Sequence, residues 1–184
     1  MNQIKRLAAV YQRHVSAPWQ RTMAGAQRVM IIVYPKKRER ALRVRVGEFE
    51  VATQEAGHRW VEVDATRWFA EWMAADPYRD AYFEDPDLLG MKLEGEFKAF
   101  AVERLTAALE DVDRNTVVAL LGSASLYGFL RVSELIQSVE PLIPGRLAVF
   151  FPGTKNDDNY RLLDARDGWS YLAQPITLHD AWVP

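Results

Sequence analysis

The chain has 184 residues, of which 49% are hydrophobic and 26% charged, with a net charge of −2 and no cysteine. Ordinary apolar content and balanced charge exclude a disordered chain and a protein that binds polyanions through bulk positive charge. The missing cysteines exclude disulfides, thiolate zinc sites and cysteine nucleophiles. We therefore expect a single domain spanning residues 1–184 in a reducing compartment, the cytoplasm.

Neither a membrane span nor a secretion signal is predicted. No apolar run approaches the roughly 20 residues that cross a bilayer. Lys5 and Arg6 interrupt the apolar positions of the N-terminus, which rules out the core of a signal peptide. We therefore expect no contact with a membrane.

Charge is distributed unevenly along the sequence. Residues 1–59 hold 12 Lys and Arg against 4 Asp and Glu, whereas residues 60–184 hold 11 against 21. A bipolar surface would favour association with a charged partner or with a second copy of the chain. If the two halves interleave in the fold, the opposite fields largely cancel.

The first third of the chain predicts two helices and two strands. Apolar spacing predicts a helix over residues 3–15 and another over 36–54, which Gly57 would end. The unbroken apolar run Val29–Tyr34 predicts a central strand. Trp60–Asp64 alternates apolar and polar residues, as a more peripheral strand does.

A long helical segment separates the second strand from the third. Thr66 is a predicted helix cap, and the aromatic residues of 68–73 follow at helical spacing. Asp76-Pro77 and Asp85-Pro86 break this region, and residues 88–112 predict one long helix. We expect this large helical insertion to serve for packing or docking.

The second half of the chain predicts a βαβ unit. Thr116–Leu121 and 146–151 are buried strands, joined by a glycine- and serine-rich turn and a helix over 131–139. A polar loop opened by Pro152-Gly153 is predicted to follow. These elements predict a three-layer α/β fold with a mainly parallel open sheet of about four central strands flanked by helices.

Two loops carry the candidate anion site. Parallel strands end on the same side of a sheet, so the loops after the first and third strands should converge at one edge. A shallow basic pocket there would favour an anion or an acidic segment of a partner, whereas a solvated basic turn is the simpler alternative. The candidate residues are Lys36, Lys37, Arg38, Gly122, Ser123 and Ser125.

The known nucleotide-binding motifs are absent from the sequence. A phosphate loop has four residues between its glycines and a lysine after the second. Gly122 and Gly128 are separated by five residues, and Phe129 occupies the position of the lysine. No dinucleotide-binding glycine motif follows any strand. A sheet of this type that has lost its loop stays compatible with the pattern.

Catalytic and metal-binding patterns are also incomplete. Ser125, Asp164 and His179 occur in the order of a hydrolase triad, but the glycines that flank such a serine are missing. Asp164 to Gly168 lacks the third-position oxygen ligand of a calcium loop and its distant Glu, and Arg161 and Arg166 indicate structural ion pairs instead. We therefore expect no catalytic residue, no metal and no cofactor.

The end of the chain carries a family likeness. Phe151-Pro152-Gly153, Asn159 to Asp164, Asp167-Gly168-Trp169 and Tyr171 to Ala173 follow one another in an order that resembles the BrxB family of the BREX bacteriophage-exclusion systems. The first strand and the Gly122-Ser123 turn lie where that family has its first strand and glycine turn. The motif residues are Pro152, Gly153, Tyr160, Arg161, Asp164, Asp167, Gly168 and Trp169.

The resemblance implies a cytoplasmic, non-catalytic scaffold or adaptor of a BREX defence complex. Its implied partners are other BREX proteins, above all the PglZ component, which resembles alkaline phosphatases. Nucleic acid would then be contacted only through the complex. The alternative from another class is a nucleotide- or nucleic-acid-binding protein with a degenerate P-loop-like sheet.

Two roles are open for the motif. It could clasp the chain end onto the sheet, with Asp167-Gly168 forming the turn that delivers a buried Trp169, or it could contact a partner.

Overall fold

The computed structural model describes residues 2–20 and 22–178, and its centre is a parallel sheet. Five strands pair in the order β2-β3-β4-β1-β7, and all four pairings are parallel. Two further strands form an antiparallel extension on β4. The strands are β1 (Val29–Tyr34), β2 (Arg59–Asp64), β3 (Thr116–Leu121), β4 (Arg146–Asn156), β5 (Asn159–Leu162), β6 (Trp169–Ser170) and β7 (Gln174–Ile176).

Helices cover both faces of this sheet. A π-helical segment, Leu93–Phe97, joins two of them, and short 3-10 turns lead into several others. Among the described residues, no helix is long and apolar enough to cross a lipid bilayer. The α-helices are α1 (Gln3–Val15), α2 (Glu39–Glu55), α3 (Trp68–Ala75), α4 (Arg79–Glu84), α5 (Gly90–Lys92), α6 (Lys98–Glu110) and α7 (Val132–Val139).

Each central strand is buried on both sides, so its successive side chains enter two different cores. Val29 and Ile31 of β1 pack with α3, α6 and α7, whereas Met30 and Ile32 pack with α1 and α2. β1 and β3 are buried at every position, which explains their uninterrupted apolar sequences. The three-layer α/β fold predicted from the sequence is therefore confirmed.

The edge position of β2 is also confirmed. Among the described strands it pairs with β3 alone, and its residues are half-buried or exposed. One exposed side accounts for the alternation of apolar and polar residues in its sequence.

The prediction of a loop at Pro152-Gly153 was wrong. β4 continues through these residues to Asn156 and turns back into β5. A proline tolerates this position because it lies where β4 leaves the centre of the sheet, beside the last residue of β1, Tyr34. The polar residues after Pro152 belong to a hairpin that projects beyond the sheet.

Three smaller differences concern element ends. Thr66 is not the helix cap: the carboxylate of Asp64 accepts a hydrogen bond from the Thr66 amide at 3.0 Å. The helix expected from residue 36 begins at Glu39, after a 3-10 turn over Lys36–Arg38. The short strand β7 was not predicted, because Pro175 at its centre weakens any strand signal.

The helical insertion between β2 and β3 is organised around one lysine. The ammonium of Lys92 lies 2.9 Å from the Asp76 carboxylate and 6.0 and 5.4 Å from the ring centres of Tyr78 and Tyr82. These contacts tie the start of the insertion to α5 and hold α4 between them. The insertion is therefore an ordered part of the fold rather than a loose loop.

Candidate functional site

An arginine on α2 connects three elements at the carboxyl edge of the sheet. Arg43 donates to Glu39 at 2.9 Å, to Asp64 at 2.6 Å and to the hydroxyl of Thr66 at 2.8 Å. Tyr34, the last residue of β1, donates its hydroxyl to the other oxygen of Glu39. The ends of β1 and β2 are thus joined through one guanidinium.

The pKa values of this network follow from burial and hydrogen bonding. Desolvation would raise the pKa of Asp64, but hydrogen bonds from Arg43 and Thr66 and the positive charge of Arg43 outweigh it and lower the pKa. Burial, followed by the hydrogen bond to Glu39, raises the pKa of Tyr34 well above its usual value. Asp64 therefore stays ionised and Tyr34 stays protonated near neutral pH, which is typical of a structural network.

Gly122 closes the network against β3. Its φ of +74° lies in the left-handed region, and an added Cβ would stand 2.5 Å from the Thr66 hydroxyl oxygen and 2.6 Å from an Asp64 oxygen. A side chain at this position would collide with both groups. The glycine turn thus serves close packing against the start of the insertion.

The basic run and the glycine turn do not form the expected pocket. Lys36 pairs with Asp164 of the hairpin extension, and Arg38 donates to Gln3 of α1 at 3.1 Å. The hydroxyl of Ser123 is buried and donates to the main-chain oxygen of Phe150 at 2.7 Å. The polar atoms of the two loops are therefore committed to different partners.

The remaining residues of these loops add no pocket either. Lys37 is exposed in the turn before α2, and Ser125 is half-buried in the 3-10 turn after β3. The cation that does lie beside the glycine turn is Arg43, which the sequence analysis missed. Only its place near the start of α2, next to the end of β1, could have indicated it.

Most of the motif residues build the hairpin extension. Gly153 of β4 pairs with Leu162 of β5, and Tyr160 pairs with Lys155 on one side and Trp169 on the other. Arg161 faces solvent on the same hairpin. The motif therefore folds a β-extension over the carboxyl end of β4.

Aromatic rings hold the extension onto the core. The Trp169 ring centre lies 6.0 Å from that of Phe151, 5.3 Å from that of Tyr160 and 5.4 Å from that of Tyr171. Trp169 is half-buried, less than predicted, because one side of its ring lines an open groove. Its indole nitrogen is buried and has no hydrogen-bond acceptor among the described residues. This packing holds the extension against Phe151 of β4, and we name this arrangement the clasp.

The tight turn of the clasp is not at Asp167-Gly168. The chain reverses at Leu163 and Asp164, where Leu163 has a φ of +53° and its amide donates to the oxygen of Pro152 at 2.8 Å. Gly168 is required for another reason, since an added Cβ would lie 1.6 Å from the side-chain oxygen of Asn159. That glycine allows the segment before β6 to pass close to β5.

An open groove of about 800 Å³ runs beside the clasp. One wall consists of motif residues, and the other is the loop that leads into α7. Gly90 and Leu93 of the insertion close one end. The groove therefore joins the motif to the insertion on one side of the molecule.

The insertion exposes apolar side chains in an acidic setting. Four large apolar residues of the insertion are between 56% and 89% exposed. Residues 76–96 hold seven carboxylates against two cations. We name these four residues the insertion surface: Tyr78, Phe83, Leu88 and Met91.

Sequence reasoning found the insertion but not which of its side chains are exposed. Phe83 and Tyr82 are neighbours in a short helix, yet Tyr82 is buried and Phe83 is not. The one signal in the sequence for the insertion surface was its many large apolar residues among many carboxylates.

Catalytic constellations are not seen in the part of the chain that the structure describes. Asp164 pairs with Lys36, and the third residue of the tested triad, His179, lies outside the described residues. The described ranges contain no group of three or more His, Asp or Glu side chains that could hold a metal ion. What the geometry offers are interaction surfaces.

Comparison with known proteins adds no assignment to this geometry. The resemblance to the BrxB family therefore stays a prediction from the motif residues. No protein-family model matches the chain, and neither a curated protein nor a solved structure is significantly similar to it.

Proposed function

We propose that the protein is a non-catalytic adaptor of a cytoplasmic BREX defence complex and binds the PglZ-like component. The observation that carries the proposal is the insertion surface. Aromatic and methionine side chains are enriched where proteins bind one another, and large contiguous apolar patches are rare on the surface of monomers. An adaptor needs such a surface more than it needs a catalytic pocket.

The charge of the insertion specifies the partner. Seven carboxylates against two cations in residues 76–96 repel a nucleic-acid backbone and favour a cationic protein surface. Large apolar residues would supply the affinity, and the acidic rim would steer the encounter. We infer that a basic patch on the PglZ-like component receives this surface.

The motif supports the same proposal. Its aromatic residues pack against one another and against Phe151, and its carboxylate Asp164 is paired with Lys36. A motif that builds a rigid extension is what a shape-recognising adaptor requires. Substrate chemistry does not account for this arrangement.

The test is co-expression with the PglZ-like protein and measurement of the affinity of the pure pair. Replacing Phe83 and Met91 together by serine should weaken binding by about thirtyfold or more, as loss of an interface hot spot does. Both side chains are exposed, so the fold should persist. Val44→Ser is the matched control, because Val44 is 85% exposed on α2, across the sheet from the insertion.

If the control and the double variant lose the same affinity for the PglZ-like protein, the proposed surface is wrong. If the pure protein binds an oligonucleotide with a steep salt dependence and does not bind the PglZ-like protein, the adaptor function is wrong. That result would favour the nucleic-acid alternative. Turnover of ATP or an ester by the pure protein would exclude a non-catalytic role.

A further inference from the structure

Three arginines meet at the amino edge of the sheet, opposite the clasp. Arg28 precedes β1, Arg114 lies two residues before β3, and Arg146 begins β4. Because β4 lies between β1 and β3, the three residues come together. They line a cavity of about 340 Å³, and none of the described residues that line it is a carboxylate.

Arg146 is buried and has no carboxylate partner among the described residues. The residue is only 8% exposed, and its guanidinium donates to the oxygen of Gly145 and to the sulfur of Met23, both at 3.0 Å. Its central carbon lies 4.5 Å from the ring centre of Trp19. A guanidinium has five N–H donors, and the described residues supply acceptors for two of them. Buried charges are otherwise almost always paired.

Carboxylates near the cavity are engaged elsewhere. Asp113 accepts hydrogen bonds from Thr116 and Asn115, and Glu140 accepts one from the hydroxyl of Tyr171. Burial, followed by the positive charge of Arg28, lowers the pKa of Arg146. Among the residues that the structure describes, neither Arg28 nor Arg146 forms an ion pair with a carboxylate.

We infer that this cavity binds a phosphate group, either free or as a small phosphate ester. Three guanidiniums present donors in a planar fork that matches phosphate oxygens. A phosphate carries a charge of about −1.5 to −2 at neutral pH and offsets more of this positive charge than a carboxylate does. This site is independent of the proposed adaptor function and lies at the opposite end of the sheet.

The walls of the cavity are built to keep the arginines in place. The Trp19 ring is stacked on His58, with 3.7 Å between ring centres, and donates its indole N–H to the oxygen of Val15 at 3.1 Å. Arg28 donates to the oxygen of Ile143 at 2.7 Å. Apolar residues Pro141–Pro144 form another wall, against which the organic part of an ester would lie.

The experiment is calorimetric titration of the intact protein with inorganic phosphate, glycerol phosphate and acetate at constant ionic strength. We expect both phosphates to bind saturably and acetate to bind at least about tenfold more weakly. Tighter binding of the ester would identify it as the natural source, and equal binding would identify free phosphate. Binding of acetate as tight as that of phosphate, or no saturable phosphate binding, overturns the proposal.

Two variants locate the site. Arg114→Gln removes an exposed guanidinium of the cavity and should weaken phosphate binding at least about tenfold without a change in fold. Arg146→Met should abolish binding while the free protein keeps or raises its melting temperature, because an unpaired buried charge is removed. Arg59→Gln is the matched control, since Arg59 begins β2 at the same edge and is not part of the cavity. Equal binding by all three variants would mean an adventitious ion only and would overturn the site.

Discussion

Gly122 must be a glycine for two reasons, its backbone conformation and the close packing around its Cα. Its left-handed φ of +74° is costly for any other residue, and an added Cβ would meet the Thr66 amide nitrogen at 2.6 Å. We expect Gly122→Ala to lower the free energy of unfolding by about 2 kcal/mol or more, measured by urea denaturation. Gly47 is exposed inside α2 with open space at its Cβ, so Gly47→Ala should raise stability by about 0.5–1 kcal/mol. A neutral Gly122→Ala would contradict the close packing.

Asp64 should make the stability of the protein depend on acid. Its pKa is lowered in the folded state, so its contribution is complete above the ordinary Asp value of about 3.9 and is lost as the pH falls through the folded pKa. We expect Asp64→Asn to be less stable at neutral pH and to lose less of its remaining stability below about pH 4. Asp80→Asn serves as the control, because that carboxylate is almost fully exposed. Parallel pH profiles for Asp64→Asn and the parent would show that the Arg43 network contributes nothing.

The packing of the hairpin extension against the core depends mainly on the ring of Trp169. Trp169 contacts three other aromatic side chains, so Trp169→Ala should lower the free energy of unfolding by about 3 kcal/mol. Trp169→Phe should cost less, because the lost indole N–H has no acceptor among the described residues. Leu172→Ala is the control, since Leu172 is 76% exposed in the same segment. Unchanged stability of Trp169→Ala with lost partner binding would make the ring a contact residue instead of a clasp.

Strands could be predicted from the sequence where burial alone determines the pattern of apolar and polar residues. β1 and β3 are buried at every position, and their short runs rich in β-branched residues indicated strands of a covered sheet. The edge position of β2 followed from its alternation of apolar and polar residues. The length of β4 was not predictable, because Pro152 and Gly153 ordinarily end a strand. Their role depends on pairing with β5, a tertiary contact.

Site residues were harder to predict than elements for the same reason. The motif residues and the basic run were chosen for their chemistry, yet Lys36 and Asp164, 128 residues apart, form one ion pair. The neighbouring sequence does not mark Arg43, Met91 or Arg146 as site residues, because each is distinguished only by its surroundings in the folded protein. Arg146 becomes a candidate ligand only when its burial without a carboxylate is visible.

Over the whole molecule, the uneven charge of the sequence becomes a separation between layers. Helices α1 and α2, with the turn before α2, hold nine cations against four carboxylates. These helices cover one face of the sheet, and the acidic insertion belongs to the layer on the other face. Strand β1 of the first half lies between β4 and β7 of the second half, so the two halves interleave within the sheet, but their opposite charges lie on different faces of it.

This separation predicts how the pure protein attracts its own copies. Opposite charges on opposite faces favour head-to-tail approach, and salt screens that attraction over about 10 Å at 0.1 M. We expect the second virial coefficient, measured by static light scattering, to rise as salt is added from 10 to about 150 mM. Neutralising three of the exposed carboxylates of the insertion together, in Asp80→Asn, Glu84→Gln and Asp85→Asn, should reduce that rise. A coefficient that falls with added salt would mean that net repulsion dominates and that the two charged faces do not attract each other.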